Sequence, residues 1–305
     1  MSIKATLKQI GRGVKGSSDL TRGDAADLLN RVLCGEVSDL ELGAFLIAMR
    51  LKGETGEELA GFYDALKPHL PALDFTKPVV LLPSYNGARK THLMTPLLAK
   101  LLADMGYLVL VHGAHEEPAR TSSEEVFTCM GWPVATSLES LQQQLEQFGI
   151  VYCPVSVLCQ PLAKLLSARL VLGLRNSGHI LTKLINPVRS LSFQVCNYTH
   201  PAYPAILEQF FLAHPANAIT MRGHEGEPVA SPRRMPELGI CIGPVVIHTE
   251  ACLIDEPVLY TGDISAGSTA ELYKRLLSGQ EVMPQTVLMQ VQALHLAFSG
   301  AHAFP

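Results

Sequence analysis

Two apolar runs constrain this chain more than any other feature. Val79-Val80-Leu81-Leu82 and Tyr107-Leu108-Val109-Leu110-Val111 flank a turn-rich segment and a helical stretch from about residue 91 to 105, which Gly106 terminates. Neither run alternates apolar with polar, so both faces of each strand must be covered. A helix-length connection joins strands that run in the same direction. The pattern is a β–α–β unit. Further strand runs at 150–152 and near 193–196, 217–221 and 240–248 extend it into a mostly parallel sheet. Helices near 268–278, introduced by Ser268-Thr269-Ala270-Glu271, and near 284–298 close the chain.

The first seventy residues read as helices instead. Ser38-Asp39-Leu40-Glu41 is a capping box that starts a helix over about 39–51. Thr55-Gly56-Glu57-Glu58 repeats the signal ahead of Leu59, Phe62, Tyr63 and Leu66, whose spacing makes one apolar face, and Pro68 ends that helix. The expected fold class is α/β. A small N-terminal helical domain spans 1–74, joined by part of 155–190, and a larger α/β domain spans 75–305, with the join near Leu73–Pro78.

With 305 residues, 48% of them hydrophobic and 17% charged, the chain can bury two cores, and disorder is excluded. The N-terminus lacks the apolar segment of a signal peptide and no run is long enough to span a membrane, so a cytoplasmic protein without membrane contact is expected. Seven scattered cysteines without a C-x-x-C pair read as reduced apolar fillers, with no disulfide and no structural zinc. The net charge of −4 argues against a nucleic-acid partner in bulk. Its distribution does not, because residues 1–22 carry Lys4, Lys8, Arg12, Lys15 and Arg22 against Asp19 alone. A solvated basic face is the plainer reading of that run. Gly11-Arg12-Gly13-Val14-Lys15-Gly16 matches the dinucleotide fingerprint, but no strand precedes it. It reads as a basic loop between the first two helices, with Arg12 and Lys15 able to touch phosphate.

In an open parallel sheet, ligands sit beyond the carboxyl ends of the strands. The first such loop, Pro83–Thr91, supplies Ser84, Asn86 and Gly87, with Thr95 in the helix after it. The second supplies His112, Gly113, Arg120 and Ser123. These eight residues are candidates for a phosphate or ligand cleft. His112-x-x-His115 with Glu116 and Glu117 has chelating chemistry, but a loop setting and the lack of a spaced third ligand argue against a metal.

These segments resemble the anthranilate phosphoribosyltransferase family. Leu40–Thr55 looks like its N-terminal helices, His112-Gly113 through Met130-Gly131 has the length of its "HGNR…SG…ALG" segment, and Arg169 to Asn186-Pro187 resembles "R…LG.R…L.NP". Phosphoribosyl transfer needs a loop that cradles diphosphate, carboxylates that hold Mg²⁺, and stabilisation of a cationic ribosyl centre. The family's "GTGGD" loop is here Ser84-Tyr85-Asn86-Gly87-Ala88, the Asn-Arg of "HGNR" is Ala114-His115, and the metal-holding Asp-Glu pair falls on Pro228-Val229. That leaves Glu225 and Glu227 as weak metal candidates. Arg169, which the family aims at an aromatic carboxylate, is retained, and Arg120 stands where the family has a lysine near phosphate. The Pro-Ser-Tyr-Asn-Gly-Ala-Arg-Lys loop is similar to that of the YbiB-type DNA-binding branch. That resemblance implies a nucleic-acid binder, of DNA, with low sequence specificity and without the parental activity. It also implies a homodimer formed through the helical domain and no cofactor. The phosphate-contacting residues would be Lys8, Arg12, Lys15, Arg89, Lys90, Arg175, Lys183, Arg233 and Arg234; no catalytic residue is assigned. The alternative is a Mg²⁺-dependent phosphoribosyltransferase acting on anthranilate or a related aromatic amine.

Overall fold

The computed structural model describes residues 2–13, 15–114, 117, 119–243 and 245–301. Four helices come first: α1 (Ile3–Ile10), α2 (Arg22–Leu33), α3 (Asp39–Lys52) and α4 (Gly56–Leu66). Both expected capping boxes form. The Ser38 and Thr55 hydroxyls accept the amides of Glu41 and Glu58, whose carboxylates reach back to the cap amides. Then follow β1 (Val79–Ser84), α5 (Thr95–Asp104), β2 (Leu108–Gly113), α6 (Ser123–Met130), α7 (Leu138–Phe148), β3 (Ile150–Pro154), α8 (Val155–Leu158), α9 (Gln160–Leu172) and α10 (Gly178–Leu181). The chain continues through β4 (Ser192–Tyr198), α11 (Tyr203–Ala213), β5 (Ala218–Arg222), β6 (Arg234–Met235), β7 (Leu238–Ile242), β8 (Val245–His248), β9 (Cys252–Leu253), α12 (Ala266–Leu277) and α13 (Gln285–Ala301).

The main sheet has the order β3-β2-β1-β4-β5-β7-β8. Its first five strands are parallel, as the buried apolar runs require, and β7 and β8 add an antiparallel hairpin at one edge. The apolar run near 240–248 is therefore two strands, with Gly243 in the left-handed region (φ 55°) where they part. Two further boundaries differ from the sequence reading. Helix α5 begins at Thr95 rather than near 91, because Pro96 fits the first helical turn and the preceding residues form a loop. Helix α12 is capped by Ser265, not Ser268; the Ser265 hydroxyl accepts the Ser268 amide.

Alternate residues of each strand feed two cores. Val79, Leu81, Leu110, Val151 and Cys196 pack with α2, α4 and α9 to α11, while Val80, Leu82, Val109, Val111 and Val195 pack with α5, α6, α12 and α13. The helical N-terminus thus shares one continuous core with a face of the sheet. All seven cysteines are unpaired, and among the described residues no helix is long and apolar enough to cross a membrane.

Candidate functional site

Strands β1, β2, β4 and β5 end on the same edge of the sheet, and the loops that leave them meet there. Ser84 lies opposite Gly113 and Pro83 opposite His112. Gly113 permits that approach, since a Cβ on it would sit 2.1 Å from the Ser84 carbonyl oxygen. His112 lies beneath, its Nδ1 2.9 Å from the Tyr85 hydroxyl. Burial pushes its pKa down to about 3, so the ring is neutral.

The carboxylate of Glu227, only 1% exposed, occupies the centre of the first loop. Its Oε1 accepts the amides of Asn86 and Gly87, both at 2.8 Å. Its Oε2 accepts the hydroxyls of Ser84 at 2.6 Å and Thr95 at 2.8 Å, and Ser123 Oγ stands 2.7 Å from Ser84 Oγ. Glu225 does the same one step outward. It accepts the amides of Arg89 at 2.9 Å, Lys90 at 3.1 Å and Thr91 at 3.1 Å, together with the Thr91 hydroxyl at 3.1 Å. Burial raises the pKa of Glu225, but the amides of Arg89 and Lys90 and the Thr91 hydroxyl outweigh it and hold the carboxyl below its ordinary value.

Both carboxylates come from one tight turn. Glu225 (φ 50°) and Gly226 (φ 86°) are left-handed, His224 N–H donates to Val229 O at 2.8 Å, and Asn197 Nδ2 donates to Gly226 O. A Cβ at position 226 would fall 1.5 Å from Asn86 Nδ2. At the rim, Arg120 and Arg169 converge on Glu117, at 3.0 and 2.8 Å, and Arg120 also donates to Gly87 O at 3.2 Å.

Residues 4–69 match the model of the helical bundle domain of the glycosyl transferase family. Over 99% of this chain and 96% of the relative, the sequence is 37% identical to the uncharacterized protein YbiB of Escherichia coli strain K12. It is 29% identical to the anthranilate phosphoribosyltransferase of Leifsonia xyli over 68% of this chain and 60% of that enzyme. The chain belongs to the anthranilate phosphoribosyltransferase-like family. Solved structures agree in fold: the enzyme from Thermus thermophilus superposes with a TM-score of 0.76 at 20% identity, over 96% of this chain and 90% of that one. The Saccharomyces cerevisiae enzyme, solved with PRPP and Mg, also gives 0.76 at 14% identity, over 98% and 89%.

Within that family frame, the structure gathers Ser84, Asn86, Gly87, Thr95 and Ser123 into one network. It corrects three expectations. Glu225 and Glu227 do not fit Mg²⁺: a hard cation needs several free oxygen ligands, and these oxygens already face N–H and O–H donors. Lys183 is no surface contact; its ammonium donates to Asn197 O at 3.0 Å, and burial, with the Arg175 charge second, lowers its pKa to about 8. Arg120 and Arg169 are members of an ion pair network with Glu117 rather than open cations. His115 and Glu116 lie outside the described residues, as does Val14, and no cluster of three potential metal ligands occurs among the described ones. Arg89, Lys90 and Arg233 are exposed on loops and Arg234 at the start of β6, Arg175 is partly exposed, and Lys8, Arg12 and Lys15 are exposed on and after α1. Sequence reasoning missed that Glu225 and Glu227 serve the loop amides, and it missed Glu117 as their neighbours' counter-ion. The Glu-Gly-Glu run, whose central Gly226 allows a tight turn, was the available signal.

Proposed function

We propose that this chain binds nucleic acid, DNA in particular, with low sequence specificity, on a phosphoribosyltransferase scaffold whose transfer chemistry is disabled. The observation that carries this reading is the occupation of the first loop. The amides that stand where the family cradles diphosphate are satisfied by Glu225 and Glu227, while the Arg89 and Lys90 side chains of the same loop point into solvent. Phosphate groups of a polymer can meet those side chains, with Arg233 and Arg234, without entering the cleft. Unpaired cysteines suit a cytoplasmic setting.

A self-associated form fits the helical N-terminus. An apolar groove of about 610 Å³ runs between α1 and α3 and reaches Leu172, with Leu40 (83%) and Leu51 (71%) left exposed. Covering such side chains is favourable by roughly 1.5–3 kcal/mol each. Leu172 lies one turn along α9 from Arg169, so a second copy in the groove would bring two clefts into one assembly.

The test is fluorescence anisotropy with single- and double-stranded oligonucleotides across a salt series. Log affinity should fall linearly with log salt, and Arg89→Glu/Lys90→Glu should weaken unrelated sequences alike and flatten the slope by about 1–2. Those substitutions leave the backbone amides that hold Glu225 in place. Binding that ignores salt, or absence of binding at low salt, refutes the proposal. Consumption of phosphoribosyl diphosphate with anthranilate and Mg²⁺, run in parallel, would instead establish the transferase alternative.

A further inference from the structure

Successive backbone N–H groups aimed at one point make a nest whose partial positive charge selects anions. The loop from Ser84 to Thr95 carries two such nests side by side, and each already holds a carboxylate. Five amides and three hydroxyls converge there, with Arg120 Nη1 at 3.8 Å from the outer carboxylate. Two adjacent anionic groups, each met by several donors, is the arrangement that a diphosphate presents. We infer that the turn from Gly223 to Val229 is an internal diphosphate mimic. It stoppers the cradle against free anions, and the cradle binds inorganic pyrophosphate once the turn is displaced.

The turn is strained at one residue. Glu225 sits in the left-handed region, which a glutamate rarely adopts, and it does so to present its carboxylate. From behind, Asn197 donates to Gly226 O while its own buried Oδ1 has no hydrogen-bond partner, and the buried Gln290 donates to Pro228 O at 2.8 Å, which anchors the far end of the turn. The donors of the cradle belong to β1, the loop after it and the first turn of α5, and Val229 at the end of the turn packs in the same core, so the segment that must move is Gly223–Glu227. The inference shares the occupied loop with the proposed function but does not depend on nucleic-acid binding, and its pyrophosphate titration fails or succeeds independently of the oligonucleotide assay.

The experiment compares wild type with Glu225→Ala/Glu227→Ala and with Asn197→Ala, which loosens the turn but leaves every cradle donor. Each is titrated with sodium pyrophosphate in EDTA against sodium chloride of equal ionic strength, followed by calorimetry and thermal unfolding. Wild type should show no saturable binding. The double variant should bind pyrophosphate at least about tenfold more tightly than wild type and gain roughly 3 °C or more in Tm from it. Asn197→Ala should fall between them. Equal binding by wild type and double variant overturns the inference, and so does a folded double variant that binds none. If the double variant unfolds in chloride, refolding on addition of pyrophosphate supports the inference. Failure to refold, together with no gain in Asn197→Ala, overturns it.

Discussion

At the scale of single residues, two glycines separate steric need from backbone need. A Cβ at Gly113 would press 2.1 Å from Ser84 O and 2.8 Å from the Tyr152 hydroxyl, between two strands that cannot part. Gly131, the left-handed C-cap of α6 (φ 68°), has open space around it. Gly113→Ala should therefore cost about 2–4 kcal/mol, by overpacking, and Gly131→Ala only about 1 kcal/mol, by strain; chemical denaturation measures both. Similar losses at the two sites would contradict the steric argument. His112 provides a pH prediction. Its folded pKa of about 3 lies below the ordinary 6.5, so the unfolded chain takes up a proton that the fold refuses. Stability contributed by the neutral ring is complete above pH 6.5 and declines as pH falls toward 3, by up to about 1.4 kcal/mol per unit. Glu225, with a lowered pKa, loses its contribution in the same direction but only below its ordinary value of 4.5. Subtracting the curve of His112→Gln from that of wild type between pH 6 and about 5 isolates the histidine, and parallel curves there would disprove its role.

Among elements, the start of α4 shows how one motif does two jobs. Glu58 closes the capping box with Thr55, as its spacing predicts, and it also accepts the Leu20 amide at 2.8 Å and the Lys52 ammonium at 2.8 Å. Lys52 bridges on to Asp19. Burial lowers the Lys52 pKa, but the hydrogen bonds to Asp19 and Glu58 outweigh it and leave the pKa raised. Because Glu58 is fully buried, Lys52→Met strands a charge and should destabilise the protein by about 3–5 kcal/mol, whereas Ser38→Ala at the exposed start of α3 should cost about 1 kcal/mol. Urea unfolding distinguishes them, and a Lys52→Met loss no larger than that of Ser38→Ala would count against the buried pair. The two capping boxes were legible because both partners lie within three residues. The partners of Glu227 lie 132 to 143 residues away, so no local pattern could reveal them.

For the whole molecule, the proposed self-association predicts that Leu40→Asp/Leu51→Asp yields a monomer by analytical ultracentrifugation with its far-UV circular dichroism unchanged. A variant that keeps the mass of wild type would place any interface elsewhere. The sequence by itself determined the α/β class, the parallel strands and the helical start, because apolar periodicity and helix caps act over one or two turns of chain. It also brought Ser84, Asn86, Gly87, Thr95 and Ser123 into one neighbourhood, since the loops that leave parallel strands must meet at their carboxyl ends. What only the tertiary structure decided is which groups meet the amides of the first of those loops. Glu225 and Glu227 read as weak metal candidates beside a lost metal motif until packing brought β5 beside β4 and turned their carboxylates onto amides of the loop after β1. Burial likewise made Lys183 an internal donor rather than a surface cation. An acid's role depends on which donors surround it, and those donors are set by the fold.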